Sequence, residues 1–164
     1  MRRICHAAAL AALWALAALG SGRAADTSTE SHSSYYYPPP QAVETYHSLV
    51  GTMGDANRLR RLAFVTGMSE RMFKNPYPPP FAIFAKGDQS ERLIIVALTD
   101  GSYNTLYRAR ALFAMLTAVA RLTPIFRDAK VDELSTFFDL CKMLGFTSVI
   151  WSDGRDTAHE VRIE

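Results

Sequence analysis

The chain has 164 residues, 18 of them Lys or Arg and 16 Asp or Glu, for a formal net charge of +2. Three of the basic residues, Arg2, Arg3 and Arg23, sit at the extreme N-terminus. The rest is near neutral and lacks the basic footprint that nucleic-acid binding requires, and the length suits a single domain.

Arg2 and Arg3 precede the apolar run Ala7–Leu19, and small residues follow it, which is the layout of a secretory signal peptide. That run is shorter than the roughly 20 residues a helix needs to cross a bilayer, so no stable membrane insertion is expected. Gly22 and Ala24 place a cleavage site after Ala24, with Ala25 the next choice. The expectation is a signal peptide over 1–24 and a periplasmic mature protein. Cys141 is then the single cysteine left, so no internal disulfide can form after export.

Residues 25–40 contain DTSTESHSSYYYPPP, small polar residues and then prolines. Such a segment cannot bury enough apolar area to order itself and reads as a flexible Ser/Tyr/Pro-rich tail. Tyr35, Tyr36 and Tyr37 are the exception, suited to docking on the domain surface or in a partner's groove, with docking expected. Residues 41–164 follow as one α/β domain. Within it, Val43, Tyr46, Leu49 and Val50 are spaced for a short amphipathic helix ended by Gly51 and Gly54. Leu62–Val65 reads as a brief strand, although Leu59, Leu62 and Val65 also fit a helix. NPYPPP then interrupts regular pairing.

Two strands come next, Phe81–Lys86 and Arg92–Thr99, joined by a turn at Gly87-Asp88. LIIVAL is an unbroken apolar run, as in a strand covered on both faces. Tyr103–Leu122 is the longest helix, capped by Ser102 or Asn104 and stopped by Thr123-Pro124. It is apolar nearly all round from Ala111 to Ala120, so it should be the most buried helix. A second helix runs from about Val131 to Leu144, behind Asp128, and closes on Gly145. Cys141 shares its apolar face with Leu134, Phe137, Phe138 and Leu144, which predicts a buried, inert thiol. A last pair of strands turns through Asp153-Gly154 and ends in alternating Ala158–Ile163. The predicted class is α+β in two layers, helices packed on a mostly antiparallel sheet of four or five strands.

FVTGMSERMFKN, from Phe64 to Asn75, poses the question of activity. Nucleotidyltransferases that attach a guanine nucleotide to molybdopterin use a strand and a loop of the form G-G-x-S-x-R-M-G. Gly67, Ser69, Arg71 and Met72 match that form. Thr66 replaces the first glycine, Phe73 the last, and Lys74 comes early. Glycine is needed there because a Cβ blocks close approach of the backbone to phosphate. The expectation is a strand-to-helix corner, with Ser69 capping the helix that follows, rather than a phosphate cradle.

Taken together, YYYPPPQ, VETY, RLAFVTG, PPPFAIFAKG, LIIVALTDG, YNTLYRARALFAMLTAVAR, TFFDL, LGF and SDG resemble a family of short exported proteins of Gram-negative bacteria. Its members are commonly labelled molybdopterin-guanine dinucleotide biosynthesis protein A. The resemblance covers almost all of the mature chain. By that label it implies GTP-dependent nucleotidyl transfer to molybdopterin, with GTP and Mg as cofactors and Gly67, Ser69 and Arg71 as the phosphate loop.

The residues alone favour a non-catalytic binding module without a cofactor. There is no G-x-S-x-G or H-E-x-x-H. His32, His47 and His159 are scattered and read as surface histidines rather than metal ligands. The best candidate site is TDGSYNTLYRAR, where Asp100, Asn104, Arg108 and Arg110 gather between a strand and a helix start. Arginines there oppose the helix dipole unless an anion answers them. A structural bridge from Arg108 or Arg110 to Asp100 or Asp139 competes with binding of a small anion or a partner protein's carboxylate.

Overall fold

The run LIIVAL falls on β3 (Arg92–Ala97), whose residues from Leu93 onward are all buried. The structure, a computed structural model, describes residues 38–99, 102–125 and 135–164. These lie in a compact unit that extends from His32 to Glu164. In chain order the other described elements are β1 (Ala42–Tyr46), α1 (Arg58–Phe73), β2 (Phe81–Lys86), α2 (Leu106–Arg121), α3 (Phe137–Met143), β4 (Ser148–Ser152) and β5 (Ala158–Ile163).

The strands form one mixed sheet in the order β1-β5-β4-β3-β2. β2 runs antiparallel to β3, with Phe81 opposite Ala97, and β4 antiparallel to β5, with Ser148 opposite Arg162. β1 is parallel to β5 and β3 to β4. Parallel neighbours need a long crossover, and α2 and α3 supply the one from β3 to β4. The α+β class is thus as expected, with five strands. Gly87 and Gly154 turn the two hairpins at φ +96° and +81°, a region that L side chains rarely enter. Asp153 Oδ1 accepts from the N–H groups of Arg155, Asp156 and Thr157, which fixes the second turn.

Helices α1, α2 and α3 all pack on one face of the sheet, where Phe81, Leu93, Leu112, Leu116, Phe137, Leu140, Leu144 and Val149 form the main core. α3 closes as its sequence predicts. Gly145 (φ +78°) donates to Lys142 O and Phe146 to Cys141 O, the paired bonds of a Schellman motif. Cys141 is fully buried in this core, and burial, reinforced by the charge of Asp139, pushes its thiol well above the ordinary value. The expected burial of the thiol stands.

Four expectations are corrected. Val43 and Tyr46 belong to strand β1, not to a helix, because pairing with β5 overrides a four-residue coincidence of spacing. FVTGMSERMF is neither strand nor corner: it is the second half of α1, a continuous helix whose cap is Asn57, accepting from Arg60 N at 2.9 Å. Ser69 therefore caps nothing, and nothing lies within 4 Å of where a Cβ on Gly67 would stand. α2 starts later than expected, with Thr105 as its cap. It is also not wrapped in protein: Met115, Val119 and Leu122 on its outer side are exposed. The described part of the last helix begins at Phe137 behind Thr136; Asp128 and Val131–Leu134 lie outside the described residues, as do 1–37.

α1 is joined to the end of α3 by one buried arginine. Arg61 donates to Leu144 O and Gly145 O at 3.2 Å each, and to Gln89 O at 2.8 and 3.1 Å. Its charge faces backbone carbonyls at the negative end of α3, a favourable arrangement.

Candidate functional site

A cleft runs between edge strand β1 and the start of α2, over the part of the helix-bearing face that the helices leave open. One lobe of about 240 Å³ is lined by Gln41, Glu44, Tyr103, Asn104, Thr157 and His159, among others. The second, of about 270 Å³, is lined by Tyr46, Arg110, Phe113, Phe138 and Val161, among others. Glu44, Leu106, Trp151 and His159 border both lobes, so they form one continuous hollow.

Register explains which side chains meet here. Ala42 pairs with His159 in a parallel ladder, so Ala42, Glu44 and Tyr46 share a face with His159 and Val161. β4 adds Trp151 opposite His159. The two rings lie against each other at a tilt of 34° with centroids 4.0 Å apart, and His159 Nε2 comes within 3.3 Å of Glu44 Oε1. Nε2 is shielded from solvent and has no aligned hydrogen bond, so this is a contact of charges or dipoles rather than a directed bond. His159 is accordingly not a surface histidine, in contrast to the exposed His47. Phe113 meets Trp151 edge-on at 6.0 Å and Phe138 at 4.8 Å, extending an aromatic floor.

Tyr103 holds the floor from the other side. It adopts φ +58°, rare for a bulky residue, and in that geometry its carbonyl accepts from Trp151 Nε1 at 3.1 Å. Burial raises the pKa of its phenol. Backbone strain of this kind is kept where the surroundings over-determine it.

The residues picked from the sequence divide. Asn104 lines the first lobe and Arg110 the second, at the mouth of the same cleft. Arg108 turns back along the helix, donating to Asn104 Oδ1 at 3.3 Å. Asp100 lies outside the described residues. Gly67, Ser69 and Arg71 are on α1 and line neither lobe. Glu44, Trp151 and His159 were not picked as a group, since only the β1–β5 and β4–β5 registers bring them together.

Asp139 is a structural carboxylate. It is 0% exposed and serves in a capping box at the start of α3, accepting from Thr136 N at 2.7 Å. It also accepts from Ser48 Oγ at 2.7 Å, Leu49 N at 3.0 Å and Tyr46 Oη at 3.0 Å. Burial alone would raise its pKa; the donors from Thr136, Ser48, Leu49 and Tyr46 outweigh that and hold it below the usual carboxylate value. Those donors, rather than Arg108 or Arg110, answer its charge.

Among the described residues no three His, Cys, Asp or Glu side chains gather in a way that could hold a metal ion, and no helix is long and apolar enough to cross a membrane. Comparison with family models, curated proteins and solved structures gave no match.

Proposed function

We propose that the protein is a non-catalytic binding module of the periplasm and that the cleft beside β1 receives a small organic carboxylate. The observation that carries this reading is the make-up of the cleft: an aromatic floor of Trp151, His159 and Phe113, with Arg110 and Asn104 at its mouth and the Glu44 carboxylate turned to His159 Nε2. Ligand sites combine an apolar body with a few placed polar groups in this way. An apolar part of the ligand lies on the rings, and its carboxylate meets Arg110 and the Asn104 amide. Catalysis finds less support. Cys141 is sealed in the core and Asp139 is saturated with donors, which keeps both from any substrate. Nucleotidyl transfer to molybdopterin draws no support from α1, where Gly67, Ser69 and Arg71 sit inside a helix rather than in a phosphate-wrapping loop.

Trp151 makes the test direct, because a chain starting at Asp26 lacks Trp14, the other tryptophan. Its fluorescence in the chain starting at Asp26 should respond to apolar carboxylates but not to their matched primary amides. Arg110→Gln should abolish the response. Equal responses to acids and amides, or none up to millimolar acid, would refute the reading. A rise in Tm with Mg-GTP that Arg71→Ala removes would favour the nucleotidyl-transfer reading instead.

A further inference from the structure

The face of the sheet opposite the helices raises a separate question. Ile94, Val96, Ile150 and Ala158 project there, and their exposures are 1%, 3%, 2% and 4%. Strand neighbours flank a side chain laterally at roughly 4.8 Å and leave its tip open. Sheet pairing alone therefore does not bury a central isoleucine to this degree. Phe84 is the one described hydrophobic residue that packs against the cluster from its margin, and the described helices all pack on the other face. Ser148 lies on the same face, almost fully buried, with its hydroxyl lacking any hydrogen-bond partner.

We infer that this face is the seat of the chain's own Tyr35-Tyr36-Tyr37 segment, which crosses it as a strap ahead of β1. The position of the chain's entry supports this occupant. Pro38, the first described residue, is buried, and Gln41 N donates to the carbonyl of Ala158, a member of the apolar cluster. Ile150 is two strands from β1, roughly 10 Å, a span that three or four extended residues cover. Pro38, Pro39 and Pro40 fix φ and keep the approach extended. The chemistry also fits. A tyrosine supplies a large apolar ring with a hydroxyl at its tip, and a buried tyrosine hydroxyl seeks a partner. The unanswered Ser148 hydroxyl, able to donate and accept, is suited to that role. The domain then has three layers at this point, and the strap leaves the carboxylate cleft on the opposite face untouched.

NMR on the chain starting at Asp26, with labelled isoleucine methyls, tests the strap. Nuclear Overhauser contacts from the Tyr35–Tyr37 rings to the Ile94 and Ile150 methyls are expected, unchanged on dilution. A triple Tyr35→Phe, Tyr36→Phe, Tyr37→Phe variant should keep the corresponding ring contacts, since it retains the rings and the fold. In a chain starting at Pro38 the Ile94 and Ile150 signals should move, while Ile83 and Ile95 on the helix-bearing face hold their positions. Absence of ring contacts in the intact chain overturns the inference without recourse to the truncation. Contacts found only between differently labelled molecules would also overturn it, assigning the face to a second copy.

Discussion

Asp139→Asn gives a sharp measure of how the first strand is tied to the third helix. The native carboxylate answers two backbone N–H groups, of Leu49 and Thr136, and three hydroxyls, of Ser48, Tyr46 and Thr136. The hydroxyls have other outlets because they rotate: Tyr46 Oη lies 3.0 Å from Thr136 Oγ1 and can turn its proton to that oxygen, and the half-buried Ser48 hydroxyl can swing its own away. The N–H groups have none. An asparagine retains one acceptor oxygen and turns an NH₂ toward the remaining donors, so one part-buried N–H is left unanswered. That costs about 1–3 kcal/mol, and a lost charge-assisted bond adds about 1–2 kcal/mol. The expected destabilisation is therefore about 3 kcal/mol, a large share of the roughly 5–15 kcal/mol available to a domain. Urea unfolding followed by Trp151 fluorescence measures it. The pH dependence supplies the control. Because the folded pKa of Asp139 is lowered, its stabilisation is complete above the unfolded value near pH ~3.9 and is lost as pH falls through the folded value. The gap between wild type and Asp139→Asn should be widest near neutrality and shrink below pH ~4. A gap under about 0.5 kcal/mol at pH ~7, within the scatter of ordinary surface substitutions, would refute the reasoning. So would a gap that does not change on acidification.

Gly67→Ala should stabilise the protein by about 0.5–1 kcal/mol in the same assay, because Gly67 lies in the interior of α1 with open space where its Cβ would stand. A loss of stability would mean that the backbone there is not helical. Cys141 should react with a maleimide only at the rate of unfolding, since it is fully buried with a raised pKa; labelling within seconds in native buffer would contradict the packing.

How far the sequence could be read depended on whether an element is defined locally. β2–β3 and β4–β5 are hairpins, and their glycine turns and apolar runs state them outright. The end of α3 was equally plain, because Gly145 is a local signal for a local motif. β1 was not, since AVETY becomes a strand only through a partner at the far end of the chain. In α1 the glycine and the partial G-x-S-x-R-M match drew attention from Asn57, a good N-cap residue standing before a charged and apolar periodic run. α2 misled through composition: alanine, methionine and valine on its outer side look like core residues but face solvent. The cleft was half legible. Asn104 and Arg110 were visible as polar residues at a helix start, whereas His159 needed Trp151 and Glu44 beside it, and only strand register puts them there.

The pairing of residue 42 with residue 159 in the β1–β5 ladder also bears on how the molecule is assembled. Contacts so distant in sequence are slow to form, because the entropy of closing the loop must be met before they return anything. β1 should dock last, onto a sheet whose other four strands are already in place. Glu44 arrives with it, so the cleft exists only once this final step is complete. Opening of the edge strand and emptying of the cleft are then one and the same fluctuation. A ligand held there would slow hydrogen exchange along β1 before it altered exchange in β3 or β4.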